Sequence, residues 1–439
     1  MAKKRRSNFP LNIYLNGLFL GSLEYRAQKT LYFKYSDHWL ARENSFPISR
    51  SLPLREQSYE GNSVYSYFDN LLPDSISIRQ RIAARMKAES DHIFDLLSVI
   101  GRDCVGALQF VRADEPFPRL QKANGSRVSA SKIADKLKNL HNTPLASSLT
   151  DDFRLSIAGI QEKTAFLKID DEWYVPHDST PTTHIFKPQI GEIQKGLSIV
   201  DSVENEWLCS RIVRAFGIPT AKCEIAQFDD VKTLVVERFD RAWLNSDTLI
   251  RIPQEDMCQA LGVATFEKYQ SDGGPGIVQI MDLLNESVKR EEDRKNFLKS
   301  QVVFLLLAAI DGHAKNYSLR WGPSGFSMTP LYDILSAQPM VNKGDLQFEK
   351  LKMAMSYGDA NHYKVRDITR RHLIQTAKLC RINTEQMDLI IDEVIVALPT
   401  VISEVTAELP PQFPSRIAEA IFNGMKKRIQ QIQAFSSPG

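Results

Sequence analysis

The chain has 439 residues, too many for one typical hydrophobic core, so we expect two or three domains. Hydrophobic residues make up 43% and charged residues 25%, as in ordinary globular proteins, and a net charge of +2 excludes a global drive toward nucleic acid or membrane. The five cysteines lack Cys-x-x-Cys spacing, which disfavours a zinc cluster and suits a reducing cytoplasm. The longest apolar run, 302–310, is about half a membrane span, so we predict a cytoplasmic protein without membrane contact.

The first part of the chain predicts a small α+β subdomain over residues 1–112. The segment "LNIYLNGLFLGSL" alternates around Asn16-Gly17, which indicates a β-hairpin, and "TLYFKY" continues the strand pattern. Helical spacing follows over 64–86 and over 92–100, before "CVGALQFV" returns to a strand pattern.

The rest of the chain divides into three predicted parts. Residues 113–150 are polar, carry early prolines and one short helix over 131–140, and are predicted as a linker region. Residues 151–240 alternate strand patterns such as "LSIAGIQEKTAFLKI", "THIFKPQ" and "KTLVVERF" with a helix over 202–216. Residues 241–439 are predicted as mostly helical, interrupted at "DGHAKN" and by a hairpin in "YSLRWGPSGFSMTPLYDI".

The stretch "VVFLLLAAIDGHAKN" brings a carboxylate, an imidazole, an amine and an amide into six residues. It is either the turn that ends a helix or a loop of catalytic groups. Phosphoryl transfer from ATP needs a carboxylate base, an acid and an amide for Mg²⁺, and a lysine for the phosphates. Asp311 and Asn316 have the five-residue spacing of base and metal-binding amide in protein kinases, and Asp333 follows Asn316 by seventeen residues across the hairpin pattern.

Residues upstream of this loop supply the other groups that a kinase needs, in the order expected along the chain. Lys187 ends the strand pattern "THIFK", where a phosphate-binding lysine is expected, and Glu206 on the following helix is a candidate to pair with it. The segment "VERF" stands where a connector that contacts adenine would lie. Each piece occurs often by chance, so it is the ordered set that indicates a kinase.

Eight segments together resemble the signature set of the HipA toxin kinases, the kinase halves of HipBA toxin–antitoxin modules. They extend over essentially the whole chain: "YFDNLLPDS", "IGRDCVGAL", "SIAGIQEKTA", "TTHIFK", "VERFDR", "PQEDMCQ", "DGHAKN" and "YDI". The resemblance implies a serine/threonine kinase with an α+β, bilobal protein-kinase-like fold related to lipid kinases. Its β-rich N-lobe would bind ATP through 151–240, and 241–439 would form the helical C-lobe.

The resemblance also implies roles for individual residues. Asp311 would be the catalytic base, Asn316 and Asp333 would hold Mg²⁺, and Lys187 would grip the ATP phosphates. The remaining residues of the implied nucleotide site are an adenine connector, a phosphate-covering loop and neighbours of the metal ligands: Glu237, Arg238, Phe239; Ala158, Gly159, Ile160, Gln161, Glu162, Lys163; His313, Ala314, Lys315 and Tyr332.

The phosphate-covering loop has a single glycine, Gly159, so it must rely on few backbone amides and on the side chains of Gln161 or Lys163. Family members autophosphorylate the serine just before this loop, here Ser156, and a dianion there would weaken ATP binding. We interpret His313 as a structural residue that orients its loop, because Asp311 already supplies the base. The segment "SDGGPG" is interpreted as a flexible turn, because no Lys-Ser/Thr follows it.

The resemblance further implies a HipB-like helix-turn-helix antitoxin and operator DNA as partners. Lys378 and Arg381, three apart on one predicted helix face, could contact one phosphate backbone, the alternative being an ordinary solvated face. "MKKR" near the C-terminus is another candidate for such a contact, but we interpret it as an ordinary solvated surface.

Three functions remain open. The first is an active kinase whose substrate is an aminoacyl-tRNA synthetase, as glutamyl-tRNA synthetase is in the best-known relatives. The second is a catalytically idle co-repressor that docks an antitoxin onto DNA, and the third is a small-molecule kinase. The complete set of chemical residues favours the active protein kinase.

Overall fold

The computed structural model describes residues 9–26, 30–142, 161, 163–194, 197–199 and 201–434. Five predicted site residues lie outside the described residues: Ser156, Ala158, Gly159, Ile160 and Glu162. Helices make up 41% and strands 23% of the structure, as the predicted α+β class requires.

Residues 9–112, called the N-terminal module below, fold around a five-stranded antiparallel sheet with strand order β4-β3-β2-β1-β5. Its hairpin turns at Asn16 and Gly17, both with positive φ, as a tight two-residue turn requires. The elements are β1 (Leu11–Leu15), β2 (Leu18–Tyr25), β3 (Leu31–Tyr35), α1 (Asp37–Leu40), β4 (Tyr59–Glu60), α2 (Asn62–Asp69), α3 (Ile76–Arg85), α4 (Ile93–Ile100) and β5 (Leu108–Arg112).

The helical spacing predicted over 64–86 corresponds to two helices, α2 and α3, because the chain leaves the helical conformation between them. Pro73 lies in this break, lacks the N–H that a helix would need and disfavours helical geometry in the residue before it. The second helix starts afresh at Ser75, whose side chain accepts a hydrogen bond from the backbone of Ile78. The apolar spacing continues across the break, which is why periodicity alone did not show it.

Residues 125–237, called the central sheet unit, form a six-stranded antiparallel sheet with order β12-β13-β9-β7-β8-β6. Helix α5 and strand β6, inside the predicted linker region, belong to this unit: Ile133 and Leu137 are buried with Phe166 and Phe186 of the sheet. The elements are β6 (Gly125–Arg127), α5 (Ala130–Asn142), β7 (Thr164–Ile169), β8 (Glu172–Pro176), β9 (His184–Pro188), β10 (Gly191–Gln194), β11 (Leu197–Ile199), α6 (Ser202–Ala215), β12 (Cys223–Phe228) and β13 (Val231–Glu237).

Residues 241–434, called the C-terminal unit, are mainly helical and contain the predicted hairpin as β17 and β18. Five short strands that the sequence did not predict also occur here: β14 (Arg241–Trp243), β15 (Leu249–Arg251), β16 (Gln254–Asp256), β19 (Lys352–Tyr357) and β20 (His362–Lys364). The other elements are α7 (Met257–Leu261), α8 (Ile277–Leu283), α9 (Arg290–Leu307), β17 (Ser318–Gly322), β18 (Gly325–Met328), α10 (Gln338–Lys343), α11 (Arg370–Leu379), α12 (Thr384–Ala407) and α13 (Ser415–Ala434).

Helix α9 forms the centre of the C-terminal unit. It packs against α6, α12 and α13, and every residue from Phe297 to Leu307 is buried. It ends at Leu307, where Ala308 turns the backbone into the left-handed region with φ of 49°. The following loop, 311–316, therefore comes shortly after the end of a largely buried helix. Within the described part of the chain, no helix is both long and apolar enough to span a membrane.

Candidate active site

A cavity of about 1130 Å³ lies between the three parts of the fold. Strands β9 and β13 line it with Ile185, Lys187 and Val236, the C-terminal unit lines it with the 311–316 loop, and the N-terminal module contributes residues around Asp74. The volume exceeds the range usual for a single small ligand, roughly 300–1,000 Å³. The cavity therefore has room for a nucleotide and part of a second substrate.

Lys187 lies at the centre of an ion triad in which its own side chain and that of Glu206 are buried and that of Asp333 is partly exposed. Its Nζ lies 2.7 Å from Glu206 Oε1 and 2.8 Å from Asp333 Oδ1. Glu206 reaches it from the buried face of α6. Burial disfavours the charged amine, but the two carboxylates outweigh burial and raise the pKa of Lys187 above its ordinary value. The amine is thus held protonated and in a fixed position in the cavity wall.

Asp333 has a backbone φ of 59°, in the left-handed region that aspartate tolerates better than most residues. Burial alone would favour the neutral acid, yet Lys187 and Lys163 hold the pKa of Asp333 below its ordinary range. The neighbouring Tyr332 donates its hydroxyl to the backbone oxygen of Lys315, 2.8 Å away, and so ties this turn to the 311–316 loop. An ionised carboxylate is therefore aimed into the cavity from a constrained backbone.

The 311–316 loop is closed by two hydrogen bonds to the backbone oxygen of Asp311. The backbone N–H of His313 donates to it at 2.8 Å, and the side-chain amide of Asn316 donates at 2.7 Å. The amide oxygen of Asn316, which makes no hydrogen bond with the described residues, remains as a possible cation ligand. The side chain of Asp311 is 53% exposed, so a substrate hydroxyl can reach its carboxylate.

Sequence reasoning missed Tyr269, whose hydroxyl donates to Oδ1 of Asp311. Its ring also packs edge-on against His313, with centroids 4.9 Å apart. Desolvation raises the pKa of Asp311 above its ordinary value, while the phenol hydrogen bond acts in the opposite direction. Tyr269 lies beside the "SDGGPG" turn, 42 residues before its partner, so no local pattern indicated this contact.

His313 is buried and neutral. Burial, with the charge of Lys268, lowers the pKa of His313 to about 3. Its Nδ1 is buried and has no hydrogen-bond partner among the described residues. Because buried polar atoms are nearly always matched, an unmatched atom in a cavity-lining side chain indicates a place for a ligand or water. This observation fits both the orienting role and the nucleotide-site assignment that were predicted for His313.

Two residues predicted for the nucleotide site, Ala314 and Lys315, make contacts in the structure that differ from those expected of nucleotide-binding residues. Ala314 is fully buried and does not line the cavity, because its short helical turn packs into the core of the C-terminal unit. Lys315 does line the cavity, but its Nζ lies 2.9 Å from Asp74 and 2.9 Å from Oδ1 of Asn70, both in the N-terminal module. The N-terminal module thus contacts the 311–316 loop, which nothing in the spacing of the motifs indicated.

The predicted connector, Glu237, Arg238 and Phe239, lines the cavity where β13 ends. The ring of Phe239 lies 5.7 Å from that of Tyr332, and the two rings form an aromatic wall. The guanidinium of Arg238 is buried and donates to Asp240 at 2.7 Å. The side chain of Arg238 therefore supports the connector, while Phe239 offers the apolar surface.

The connector is clamped by Asp103 of the N-terminal module. The Asp103 carboxylate accepts hydrogen bonds from Thr182 at 2.6 Å, Arg241 at 2.8 Å and Arg251 at 3.3 Å, and it lies 3.5 Å from Arg238. Burial opposes its charge, but the three arginines keep the pKa of Asp103 far below the ordinary value. This set, the Asp103 cluster, joins all three parts of the fold.

Two residues of the phosphate-covering loop fall within the described part of the chain. Gln161 lines the cavity and donates to the backbone oxygen of Pro188 at 2.8 Å. Lys163 also lines the cavity, and burial together with the nearby charge of Lys187 lowers the pKa of Lys163 to about 8. Two amines therefore face the same space as the carboxylate of Asp333.

Asp333 and Asn316 suit a magnesium ion. This cation prefers oxygen ligands and is usually held by one or two protein groups, with phosphate oxygens and waters completing its shell. The carboxylate of Asp333 and the amide oxygen of Asn316 are oxygen ligands of the kind that Mg²⁺ needs. Lys163 and Lys187 line the same cavity and could hold the phosphate that shares the ion.

The predicted DNA contacts lie away from this cavity. Lys378 and Arg381 are both exposed, but the prediction that they share one helix face is wrong. Helix α11 ends at Leu379, and Arg381 lies beyond it with a φ of 57°. Arg370, at the start of the same helix, is held by Asp388 at 2.8 Å and Asp392 at 2.6 Å, so its charge is neutralised within the protein.

One cavity is lined by a lysine of an antiparallel sheet, by the helix glutamate that pairs with it, and by an Asp-x4-Asn loop of a helical unit. This arrangement defines a phosphotransferase of the protein-kinase type. The family model described as HipA-like C-terminal domain matches residues 155–402, and the model described as HipA N-terminal domain matches residues 11–111. The chain belongs to the HipA family of kinases.

Known proteins support this assignment. "Putative kinase Y4mE" of Sinorhizobium fredii is 34% identical over 334 residues, or 74% of this chain and 77% of that protein. The serine/threonine-protein kinase toxin HipA of Shewanella oneidensis is 27% identical over 340 residues, 74% of this chain and 75% of that protein. A solved structure of HipA with HipB and operator DNA from Shewanella oneidensis has the same fold, with a TM-score of 0.80 over 97% of this chain and 98% of that one at 23% identity. The predicted family, kinase class and bilobal kinase-like fold are thereby confirmed.

Proposed function

We propose that this chain transfers the γ-phosphoryl group of Mg-ATP to a serine or threonine hydroxyl of another protein. The observation that carries the proposal is that the Lys187–Glu206–Asp333 triad and the carboxylate of Asp311 line one cavity. A phosphate-holding amine and an accessible base in one cavity are what transfer of a phosphoryl group from a nucleotide to a hydroxyl requires.

In this reaction the protein mainly positions the ATP and the acceptor hydroxyl and neutralises the charge of the phosphates. Lys187, fixed by Glu206, would hold phosphate oxygens, and Phe239 would cover the adenine ring. Asp311 would accept the proton of the acceptor hydroxyl as the phosphoryl group leaves ADP. Asn316 and Asp333 would hold Mg²⁺, which when bound neutralises phosphate charge in the transition state.

We further propose that the chain is the toxin of a type II toxin–antitoxin module. A HipB-like antitoxin and operator DNA are its proposed partners, as they accompany the Shewanella protein in the solved complex. An aminoacyl-tRNA synthetase is the proposed substrate, so that phosphorylation would stop translation in the cytoplasm.

The test is transfer of labelled phosphate from ATP by the purified full chain to proteins of an extract, followed by identification of the modified peptides. A serine or threonine of one synthetase should dominate for the parent chain, and no peptide should be labelled by Asp333→Ala. No transfer by the parent chain would reject the kinase in favour of the idle co-repressor, and labelled small molecules alone would favour the small-molecule kinase.

Ser156 should be autophosphorylated. Chain purified in active form is expected to carry phosphate on Ser156 in a peptide mass spectrum, whereas Asp333→Ala protein is expected to carry none, because that variant loses a proposed metal ligand. Phosphate in both proteins would assign the modification to another kinase, and phosphate in neither would leave Ser156 without a regulatory role.

Lys378 and Arg381 should contribute to operator binding. The double variant Lys378→Ala with Arg381→Ala is expected to weaken binding of the antitoxin-loaded complex similarly for all operator sequences. The plot of log affinity against log salt should flatten by about two units, roughly one for each lost phosphate contact. Lys426→Ala with Lys427→Ala, which removes two exposed lysines of α13, is the control. Equal slopes for the parent and the Lys378/Arg381 variant would mean that both residues are ordinary solvated side chains without a DNA contact.

A further inference from the structure

We infer that Asp74 of the N-terminal module is a positioning residue of the kinase site, which holds the 311–316 loop and the Tyr269 segment together through Lys315 and Lys268. The inference rests on the proposed phosphoryl transfer and adds to it a role for Asp74, a residue of the "YFDNLLPDS" segment to which the family resemblance gave no function.

Asp74 lies in the break between α2 and α3 and reaches two lysines from different segments. Its Oδ2 is 2.8 Å from Nζ of Lys268, and its Oδ1 is 2.9 Å from Nζ of Lys315. The three side chains are 9%, 9% and 4% exposed, respectively. A single carboxylate thus bridges two buried cations that would otherwise repel each other across the cavity wall.

Each lysine adjoins a residue that contacts the reacting groups. Lys268 precedes Tyr269, whose hydroxyl donates to the carboxylate of Asp311, and the backbone oxygen of Lys268 accepts a hydrogen bond from Ala314 at 3.3 Å. Lys315 precedes Asn316, whose amide holds the backbone of Asp311 at 2.7 Å. Displacement of either lysine would therefore move the carboxylate that takes the proton.

The two lysines depend on Asp74 to different degrees. Lys315 also donates to Oδ1 of Asn70 at 2.9 Å, and the charge of Asp256 supports its protonated form. Lys268 has the Asp74 carboxylate as its ion-pair partner. Loss of the Asp74 charge should consequently release the Lys268–Tyr269 segment first and the 311–316 loop only in part.

The kinetic test replaces Asp74 with asparagine, which keeps the shape and removes the charge. We expect kcat to fall about 10- to 100-fold, the size of effect that a catalytic group displaced by about 1 Å can have. KM for ATP should change less than about threefold, because Lys187 and Asp333 are untouched. Asp74→Glu, which restores the charge, should recover most of the lost kcat.

Asp293→Asn is the matched control. This carboxylate is also buried, but it accepts hydrogen bonds from Ser287 and from the backbone of Met328, outside the cavity lining. The kcat of the Asp293→Asn variant should equal that of the parent chain. Equal losses of kcat in Asp74→Asn and Asp293→Asn would mean that Asp74 contributes only to general stability. A raised KM for ATP with unchanged kcat in Asp74→Asn would make Asp74 a nucleotide-binding residue. Either result overturns the inference.

A double-mutant cycle tests the same ion pair from the lysine side, by comparing the parent chain, the two single variants and the double variant. Lys268→Met should itself lower kcat. The fold loss of kcat in the double variant Lys268→Met with Asp74→Asn should be far smaller than the product of the fold losses in the two single variants. Independent, multiplicative effects would show that the ion pair does not transmit the positioning.

Deuterium uptake by residues 311–316 tests the inference without any enzymatic assay. It should rise in Asp74→Asn and stay at the parent rate in Asp293→Asn. If the parent chain transfers no phosphate, the proposed function fails, but the uptake comparison still decides whether Asp74 orders the loop. Unchanged uptake in Asp74→Asn would reject the positioning role.

Discussion

Replacement of Asp311 by asparagine is expected to lower phosphoryl transfer by at least about 100-fold, because positioned general bases typically contribute about 10²–10⁴. The amide keeps the shape of the side chain but cannot accept the proton of the incoming hydroxyl. Binding of an ATP analogue should stay near that of the parent, since Lys187, Glu206 and Asp333 form a separate triad. Transfer rates and calorimetric binding of the analogue, measured on both proteins, check the two halves of this expectation.

Asp282→Asn is the control for this variant, since Asp282 is an exposed carboxylate on α8 outside the cavity lining. It should transfer phosphate at the parent rate. Should Asp311→Asn label its substrate as fast as the parent does, the base must be another residue. His313 would then be the first to test, because its Nε2 lies 3.9 Å from Oδ1 of Asp311.

The second large effect concerns stability. Asp103→Asn should lower the free energy of unfolding by about 3–5 kcal/mol, the usual cost of leaving buried charges without their partner. Its carboxylate is shared by Arg238, Arg241 and Arg251, whose side chains are between 1% and 4% exposed. Urea unfolding of the parent and the variant, followed by tryptophan fluorescence, measures the difference.

A surface ion pair provides the comparison. Asp114 bonds to Arg112 at 2.6 Å, but both side chains are about two-fifths exposed, and such pairs contribute little. Asp114→Asn should therefore leave the urea midpoint where it is in the parent. An equally unchanged midpoint for Asp103→Asn would mean that the three arginines are satisfied by backbone oxygens and Asp240 alone.

Much of the fold could be predicted because its signals are local. The Asn16-Gly17 turn, the strand that carries Lys187 and the hairpin before Asp333 each follow from residues within a few positions of each other. The order of the kinase groups could be recognised for the same reason, since Asp311 and Asn316 share one short loop.

The remaining part of the site is built by contacts between distant segments, which no window of the sequence contains. Tyr269 meets Asp311 across 42 residues, and Asp74 meets Lys315 across 241. Strand β16 is only three residues long and gains its partner β17 about sixty residues later. Short strands of this kind have too little periodicity to be distinguished from loops.

The Asp103 cluster has a consequence for how such a gene can change. A deletion or an internal start of translation that removed the first hundred or so codons would leave Arg238, Arg241 and Arg251 in the protein without their shared anion. We expect such a shortened product to aggregate or be degraded, although it retains Lys187, Asp311, Asn316 and Asp333. The N-terminal module and the rest of the chain should therefore be inherited together, and loss of the front of the gene should not yield a stable, separate kinase domain.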